Sequence, residues 1–390
     1  MEEDEKNSHI IIDNGSDYCK AGFSGEEGPR LVIPTCVGYP KYEIKINEGM
    51  VLFGVDALAK KSVLRLKYPI NYGVVNNWDD MEKIWSHAFT ELCVPPEDYN
   101  IMLTEVILNS KENREKMAEI IFETFNVSGL YISDAPTLCL YSAGKFSGIV
   151  VDSGDTTQIV PIWDGYSIIP GINRFNFGGK NITKILEKLL NESGHNYPPP
   201  SWIEIVKAIK EKACYVALDY EEEIKNIEPF DYELPDGHHC IIKNERIRCT
   251  EALFKPSIFS NDDNELSIKW QGTSYKESNI LEKDKGLGYA CFDSIQKCEI
   301  DVRKDLYNCI ILCGGNSMFN GLPERLTKEI KMLAPESMKE EVKVISSPER
   351  KFAAWIGGSI LSTISTFKTM WITKAEYEES GVTIVHKKNH

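Results

Sequence analysis

Two stretches of the chain share one pattern of apolar and polar residues. Residues 148–163 (GIVVDSGDTTQIVPIW) place an apolar run on each side of a short polar turn, and residues 9–23 (HIIIDNGSDYCKAGF) repeat the arrangement. Short apolar runs that flank a turn of Asp, Asn, Ser and Gly predict a β-hairpin. Because the pattern occurs twice in one chain, the sequence predicts an internal duplication.

Helical and strand patterns alternate around the two hairpins. Residues 79–92 carry apolar side chains at helical spacing, and residues 99–109 form an apolar run of strand type. Such alternation predicts an α/β fold in which helices pack on sheets. Asp79 with Glu82 has capping-box spacing, and Asn181 is the predicted N-cap of a second helix. Further helices are predicted over residues 56–66, 111–125, 182–190, 202–218 and 323–333, and a last long helix from about residue 347.

The polar turns have the residue types of an anion-binding site. One turn reads DSGD from Asp152, and the other reads DNGS from Asp13 with Lys20 shortly after it. Glycine lets backbone N–H groups approach an anion closely, and successive N–H groups in a turn form an anion-binding hollow. A carboxylate repels a bare phosphate, but Mg²⁺ or Ca²⁺ between them reverses the sign. A single turn of this kind is usually an ordinary Asx turn, whereas two copies favour a nucleotide held by its phosphates.

Composition narrows the range of functions. The chain has 390 residues, enough for two or three domains, and a formal charge of −15 without a long basic run. This charge argues against a nucleic-acid binder and favours protein partners. Since no apolar run approaches the roughly 18 residues of a membrane helix and the first residues are acidic, we expect no membrane span and a cytosolic or nuclear location.

The cysteines predict reduced thiols rather than a disulfide framework. The 11 cysteines contain no C-x-x-C pair. The nearest approach to a zinc-ligand set is His238, His239, Cys240 and Cys249. These residues follow a turn signal and lack the spacing of a zinc finger, so a zinc site is disfavoured.

Longer stretches resemble the actin family, in order, over nearly the whole chain. They include YPINYGVVNNWDDMEKIW, EIVKAIKEKACYVALD, CGGNSMFNGL and PERKFAAWIGGSIL. The chain looks like an actin-related protein, similar to actin and in some stretches to centractin. The resemblance implies an actin/Hsp70/hexokinase-type fold, with two duplicated α/β halves in four subdomains around a nucleotide cleft. It places subdomain 1 at residues 1–32, 69–142 and 353–390, subdomain 2 at 33–68, subdomain 3 at 143–177 and 286–352, and subdomain 4 at 178–285 with an inserted loop at 261–288.

The resemblance also implies the residues of an ATP site. Asp13 and Asp152 would hold Mg²⁺ or Ca²⁺ through water. The phosphates would be contacted by Gly15, Ser16, Lys20, Ser153, Gly154 and Asp155, and the adenosine by Gly179, Lys210, Glu211, Gly314, Gly315, Met318, Phe319 and Lys351.

The sequence departs from the family at the residues that position the attacking water. Ala135 stands where the family has a glutamine, and Gln158 is the residue nearest to a missing histidine, because the second hairpin is one residue shorter. Positioned groups contribute on the order of 10²- to 10⁴-fold to a rate. We therefore expect bound ATP and weak hydrolysis, unless Asp134 takes over the role through a shift imposed by Pro136.

Other departures concern the turns and the filament contacts. Asp17 and Thr156 replace turn glycines of actin. Residues 41–53 are shorter, and the loop at 261–288 longer, than the actin elements that make filament contacts, so these departures argue against self-polymerisation. The cleft that takes amphipathic partner helices is retained, with core packing as the alternative interpretation; it would be formed by Tyr141, Gly144, Ile356 and Ile360.

Together these patterns predict an ATP-binding, actin-like cytoskeletal protein or subunit of a multi-protein complex. We expect it in the cytoplasm, with the nucleus as the alternative compartment. One alternative function is an ATPase enzyme of the same fold, of chaperone or sugar-kinase type. Another is a nuclear chromatin-complex scaffold, which Asp13, Lys20 and Asp152 disfavour because they preserve the nucleotide site.

Overall fold

The computed structural model describes residues 9–41, 51–195, 202–259 and 285–388. The chain divides into two units, which we call the first unit (1–145 and 352–390) and the second unit (146–351). The four-subdomain division within them stays a prediction. In the described part of the chain, no helix combines the length and the apolar character that a membrane span requires.

The first unit is built on a six-stranded sheet with helices beside it. Its strands are β1 (Ile10–Asn14), β2 (Tyr18–Phe23), β3 (Leu31–Pro34), β4 (Val37–Pro40), β5 (Leu52–Phe53), β6 (Leu64–Lys67), β7 (Ile70–Asn71), β8 (Val74–Val75), β9 (Asn100–Glu105), β10 (Gly129–Asp134) and β19 (Ile372–Thr373). Its helices are α1 (Gly54–Ala59), α2 (Trp78–Leu92), α3 (Lys111–Glu119), α4 (Ala135–Ser142), α12 (Ala353–Thr363), α13 (Lys374–Ser380) and α14 (Val385–Lys388).

The second unit is built on a sheet of its own and a larger set of helices. Its strands are β11 (Gly148–Ser153), β12 (Thr157–Trp163), β13 (Tyr166–Ser167), β14 (Asn173–Phe175), β15 (Phe230–Glu233), β16 (His239–Ile242), β17 (Ile310–Cys313) and β18 (Val344–Ile345). Its helices are α5 (Gly179–Glu192), α6 (Trp202–Ala213), α7 (Tyr220–Glu223), α8 (Glu245–Glu251), α9 (Leu287–Gln296), α10 (Ile300–Asn308) and α11 (Leu322–Leu333).

The two sheets repeat one arrangement of strands. In the first unit the order runs β3-β2-β1-β9-β10, and in the second β14-β12-β11-β17-β18. In each, a hairpin (β1–β2 or β11–β12) is antiparallel, and its first strand pairs in parallel with a strand from much later in the chain. This repetition confirms the predicted duplication and the α/β fold.

The apolar run of β1 is buried on both faces of its sheet. Ile10 and Ile12 pack into a core that includes Trp85 of α2, whereas Ile11 packs on the opposite face with Trp355 of α12. Alternate side chains of a strand point to opposite faces, so a continuous apolar run is needed where both faces are covered. The same logic applies to β11 in the second unit, whose apolar residues reach 0% exposure.

Helices α4 and α12 cross closely in the first unit. A Cβ atom added at Gly357 would lie 1.8 Å from the carbonyl oxygen of Leu138, which is backbone and has little freedom to move. Glycine is therefore required at this crossing, where two helix backbones nearly touch.

Two predicted helix starts were wrong. Helix α2 is capped by Asn77, whose side chain accepts a hydrogen bond from the N–H of Asp80, rather than by Asp79 with Glu82. Helix α5 begins at Gly179, so Asn181 lies in its first turn; its Oδ1 accepts from the N–H of Gly178 at 3.0 Å. Asn181 thus satisfies a helix-end donor from inside the helix, as in a capping box.

Other helix and strand boundaries also differ from the predicted ones. The predicted helix over 202–218 ends at Ala213, since the N–H of Val216 donates to the carbonyl of Asn320 at 2.8 Å. The stretch 56–66 splits into α1 and β6, 99–109 contains only β9, and 111–125 continues beyond α3 as a π-helical turn, Ile120–Thr124. The last long helix begins at Ala353, after a short 3₁₀ turn.

The inserted loop predicted at 261–288 is too long at its end. Leu287 already begins α9, and its N–H donates to the carbonyl of Leu253 at 2.7 Å. Residues 261–284 lie outside the described part of the chain. The same holds for residues 42–50 of the short segment predicted at 41–53.

Candidate functional site

The first turn places a carboxylate between two strands. Asp13 ends the apolar run of β1 and lies opposite Lys20 of β2 in the hairpin register. The Lys20 Nζ is 2.8 Å from Asp13 Oδ2, and the hydroxyl of Thr104 on β9 donates to Asp13 Oδ1 at 2.8 Å. Both carboxylate oxygens are therefore held. The sequence alone does not identify Thr104 as a partner of Asp13, because its position depends on the parallel pairing of β1 with β9.

Contacts from other loops fix the tip of the first turn. Thr35 donates its hydroxyl to the carbonyl of Gly15 at 2.8 Å, and the N–H of Gly73 donates to Ser16 Oγ at 2.8 Å. Because Ser16 Oγ accepts in that bond, its own proton remains to be donated elsewhere. Gly15 has no room for a side chain, since a Cβ atom would lie 2.4 Å from the Tyr18 carbonyl.

The second turn places the equivalent carboxylate in the second unit. Asp152 ends the run of β11 and lies opposite Gln158 of β12. The amide Nε2 of Gln158 donates to Asp152 Oδ2 at 2.9 Å. Gln158 is 3% exposed, so this contact is made away from solvent.

Hydrogen bonds already use the hydroxyl proton of Ser153. Thr157 donates its only hydroxyl proton to the carbonyl of Phe177 at 2.8 Å, so Ser153 is the donor in the 3.0 Å contact between the two hydroxyls. Asn316 donates its amide to the same Ser153 Oγ at 2.9 Å. Ser153 therefore has only its backbone N–H to offer to an anion.

Two turn N–H groups predicted to contact phosphate bond within their own turns. The N–H of Gly15 donates to the carbonyl of Asp13 at 3.1 Å, and that of Gly154 donates to the carbonyl of Thr156 at 2.9 Å. A phosphate would share these donors. Asp155 is held by Lys180, whose Nζ lies 3.2 Å from its Oδ2.

Glycines of three separate segments meet at the second turn. Gly314, with φ of +87°, approaches so closely that a Cβ atom would lie 2.3 Å from the Ser153 carbonyl and 2.6 Å from Asp152 Oδ1. The N–H of Gly179 donates to the carbonyl of Gly154 at 2.8 Å, and Lys210 Nζ donates to the carbonyl of Gly179 at 3.1 Å. The second unit therefore brings together the predicted residues Ser153, Gly154, Asp155, Gly179, Lys210 and Gly314.

Asn316 is a member of this cluster that sequence analysis missed. Its Oδ1 is buried, accepts no hydrogen bond from the described residues, and lies 3.5 Å from the Cβ position of Gly179. A buried acceptor without a donor is costly unless a ligand or water supplies one. The cluster therefore fits a ligand that carries donor groups, as an adenine or ribose does.

The remaining predicted residues vary in exposure. Phe319 is buried and Met318 is half-buried, whereas Glu211, Gly315 and Lys351 are exposed. A Cβ atom added at Gly315 would meet nothing within 4 Å, so the backbone there is open to a ligand.

One comparison with known proteins decides the family. The family model described as Actin matches residues 4–390 of the chain. The chain belongs to the actin family. The match covers both hairpins and the glycine cluster of the second unit.

In this actin-family protein, the structure gives Asp134 a helix-capping role. Asp134 accepts hydrogen bonds from the N–H and the hydroxyl of Thr137, both at 2.9 Å, and thereby caps α4. Burial raises the pKa of Asp134, and the hydrogen bonds from Thr137 oppose that rise. Ala135 is the first residue of the helix and has no polar side-chain atom to orient a water molecule.

The cap is open to a direct test. Asp134→Ala is expected to lower the free energy of unfolding by about 1 kcal/mol, because α4 loses the acceptor for a helix-end N–H. Asp134→Asn keeps that acceptor and serves as the matched variant, with a smaller loss. Urea denaturation measures the free energy of unfolding of both variants. Equal losses in Asp134→Ala and Asp134→Asn would show that the helix cap does not account for the loss.

The residues considered for zinc have other partners in this actin-family protein. His239 Nδ1 lies 2.9 Å from Asp231, whereas Cys249 Sγ lies 3.6 Å from Cys214 Sγ. All 11 cysteines are free thiols. No group of three or more His, Cys, Asp or Glu side chains within the described ranges is arranged to hold a metal ion.

The predicted partner-helix site lies on α4 and α12 of the first unit. Tyr141 and Ile356 are half-buried, and Ile360 is 44% exposed. Gly144 follows α4 with φ of +65° and open space around its Cβ position. These residues provide a partly exposed apolar surface beside the crossing of the two helices.

Proposed function

We propose that this actin-family protein binds ATP with Mg²⁺ or Ca²⁺ and acts as an actin-like cytoskeletal protein or complex subunit in the cytoplasm. One observation carries the proposal. In each duplicated sheet, the next-to-last residue of the first hairpin strand is an aspartate, Asp13 or Asp152, and a cross-strand side chain holds it in place.

The first turn supports phosphate and cation binding by its chemistry. Lys20 supplies a positive charge at the turn, and the hydroxyl of Ser16 is oriented by the N–H of Gly73. Phosphate oxygens accept hydrogen bonds from such donors strongly because the acceptor is charged. When bound, a divalent cation would be held through water by the carboxylates of Asp13 and Asp152.

The second unit supports adenosine binding. Its glycine cluster removes side chains from the space beside Asp152, and Asn316 offers a buried acceptor there. Lys210 adds a positive charge that is 8% exposed and anchored on Gly179. Small residues and a few fixed polar groups are typical of pockets for nucleotides.

The arrangement favours retention of ATP over hydrolysis. Ala135 offers no donor or acceptor, Asp134 is engaged by Thr137, and the amide of Gln158 is engaged by Asp152. Proton transfer and water orientation require groups within hydrogen-bond reach of the reacting water. We propose that ATP acts mainly as a structural ligand, as in a subunit whose assembly depends on its nucleotide.

The partners are proposed to be proteins. The exposed Ile360 and its neighbours on α4 and α12 suit the apolar face of an amphipathic helix.

The four-subdomain division of the family is proposed for this chain as well.

Thermal unfolding with and without ATP and Mg²⁺ tests the proposal. A ligand that binds only the folded state stabilises it by about 2.7 kcal/mol at 100 times its dissociation constant. We expect a clear rise in melting temperature and ATP in the extract of the purified protein. An unchanged melting temperature together with an extract free of nucleotide would contradict the proposal.

Lys20→Met should weaken ATP binding about 10- to 100-fold. The variant removes a charged donor, and hydrogen bonds to charged groups contribute about 1.5–3 kcal/mol. Lys111→Met is the matched control, since Lys111 is an exposed lysine at the start of α3. Equilibrium titration with a fluorescent ATP analogue measures both, and equal affinities would exclude Lys20 from the site.

A further inference from the structure

A relay of three hydrogen bonds in the second unit leads from a backbone carbonyl to Asn316. The carbonyl of Phe177 accepts the hydroxyl proton of Thr157 at 2.8 Å. Thr157 Oγ1 then accepts from Ser153 at 3.0 Å, and Ser153 Oγ accepts from Asn316 at 2.9 Å. Because a carbonyl can only accept and a hydroxyl has a single proton, every bond in the relay runs in one direction.

The direction of the relay decides which atom of Asn316 meets Ser153. Since Ser153 has already given its proton to Thr157, the group that meets its Oγ must be the NH₂ of the Asn316 amide. The amide oxygen of Asn316 is therefore left for another contact. Asn316 is 6% exposed, and its Oδ1 accepts no hydrogen bond from the residues that the structure describes. The relay thus presents a buried acceptor that lacks a donor.

This acceptor lies beside Gly179, where the chain has no side chain. Asn316 Oδ1 is 3.5 Å, and Lys210 Nζ is 3.3 Å, from the position that a Cβ atom of Gly179 would take. An uncharged acceptor and an ammonium group therefore lie close to one point of the glycine cluster. A ligand group that suits both must donate a hydrogen bond to the first and place a lone pair beside the second.

The polar groups of a nucleoside triphosphate differ in this respect. A phosphate oxygen has no proton to donate to Asn316. The amino group of adenine donates, but its hydrogens are positively polarised and are disfavoured beside the ammonium group of Lys210. A ribose hydroxyl carries one proton and two lone pairs, so it can donate to Asn316 and still face Lys210 with an oxygen.

The position of the relay also favours the sugar over the base. Ser153 directly follows Asp152 at the turn for which we proposed phosphate binding. In a nucleotide a single carbon joins the ribose ring to the phosphate, whereas the amino group of adenine lies at the far edge of the base. A side chain that is hydrogen-bonded to Ser153 is therefore placed for the ribose.

We propose that Asn316 accepts a hydrogen bond from a ribose hydroxyl and makes the site selective for ribonucleoside over deoxyribonucleoside triphosphates. This inference rests on the proposed nucleotide function and identifies a residue that recognises the sugar.

The first experiment compares sugars on the full wild-type chain. Unlabelled ATP, 2′-deoxyATP and 3′-deoxyATP compete with radiolabelled ATP in the presence of Mg²⁺. The analogue that lacks the hydroxyl bound by Asn316 should compete about 5- to 100-fold more weakly than ATP, because it leaves a buried acceptor without a donor. The comparison also shows which of the two hydroxyls is recognised. Equal competition by all three nucleotides would overturn the inference.

Inosine triphosphate tests the base as the alternative source of the donor. It keeps both ribose hydroxyls and lacks the amino group of adenine. If it competes more weakly than ATP while both deoxy analogues match ATP, the oxygen of Asn316 recognises the base and the inference is wrong.

Substitution of Asn316 assigns the sugar preference to this residue. Asn316→Leu has a similar size and no acceptor, so ATP should bind it no better than the deoxy analogue, and the preference should fall to about one. Asn308→Leu is the matched control, an exposed change of the same kind at the end of α10, and should keep the wild-type preference. A purely structural role of Asn316 would weaken ATP and the deoxy analogues equally and preserve the preference, which would contradict the inference.

The outcomes separate the inference from the function on which it rests. If the wild type binds ATP without a sugar preference, the role of Asn316 is wrong and the proposed function stands. If the wild type does not bind ATP, both are wrong. Should Asn316→Leu fail to fold in thermal unfolding, Asn316→Ala decides, because it removes the amide without filling the space, and an unchanged preference in that variant overturns the inference.

Discussion

Arg325→Met is expected to lower the free energy of unfolding by about 3–5 kcal/mol, because it leaves a buried carboxylate without its cation. Arg325 on α11 donates through Nη2 to Glu251 Oε1 at 2.9 Å and through Nη1 to Oε2 at 3.3 Å. The two side chains are 6% and 1% exposed. Removal of the guanidinium also frees the carbonyl of Ala217, which accepts from Nη1 at 2.8 Å.

A second ion pair on the same helix provides the control. Lys328 lies 3.5 Å from Asp219, and both side chains are more than 40% exposed. Exposed ion pairs contribute about 0–1 kcal/mol, so Lys328→Met should lose no more than that in urea denaturation. If Arg325→Met and Lys328→Met lose similar amounts of unfolding free energy, burial of the pair between Arg325 and Glu251 does not explain the loss.

The pH dependence of the stability loss in Arg325→Met, which we call the deficit, identifies its cause. Burial raises the pKa of Glu251, and the contacts with Arg325 lower it. Without Arg325, the pKa in the folded state rises further above the unfolded value of about 4.3. The unfolded state then releases its proton first as pH increases, so the deficit grows with pH and shrinks toward acid. A deficit that stays constant with pH would point to lost packing instead.

The sequence predicted the hairpins and their aspartates because local pattern determines both. The apolar runs of β1 and β11 each end at the first polar residue, and that residue is Asp13 or Asp152. The period of a strand determines which face each side chain occupies. The positions of Lys20 and Gln158, opposite the two aspartates, therefore follow from the hairpins themselves. These parts of the candidate site required no knowledge of distant contacts.

Other members of the site depend on contacts between segments far apart in the sequence. Thr104 reaches Asp13 only because β9 pairs in parallel with β1, and Asn316 reaches Ser153 only because the turn after β17 lies beside β11. A polar residue at the end of an apolar run does not reveal its partner strand. The close approach of Gly357 to Leu138 is equally invisible, because it depends on how two helices cross.

Helix ends were predicted less well because several side chains can serve as caps. Asn77, Asp79 and Asp80 are all acceptable N-cap residues by type, and the structure uses the first. Asp134 shows the functional consequence of such competition. The Asp134 carboxylate, next to Ala135, is bound by Thr137 at the start of a helix, and geometry rather than residue type assigns its role.

Ala135→Gln is expected to raise the rate of ATP hydrolysis by at least about 10²-fold, because it places an orienting group at the proposed water-positioning site, where this chain has only a methyl group. A glutamine amide both donates and accepts, so it can fix a water molecule in one direction. Ala135 begins α4 and is half-buried, and its capping residue Asp134 is unchanged by the substitution. The expected rise corresponds to about 2.7 kcal/mol of the activation barrier.

Single-turnover phosphate release from ATP-loaded protein measures this change. Ala135→Leu is the matched control, since it adds comparable bulk without a polar group and should leave hydrolysis slow. Brisk phosphate release by the wild type would show that another residue already orients the water. If Ala135→Gln still binds ATP but releases phosphate no faster, Ala135 does not limit hydrolysis. Gln158, whose amide is held by Asp152, is then the next residue to substitute. The double variant with Gln158→His separates these two explanations, because it places a side chain at each of the two proposed water-positioning sites while the cap at Asp134 stays in place.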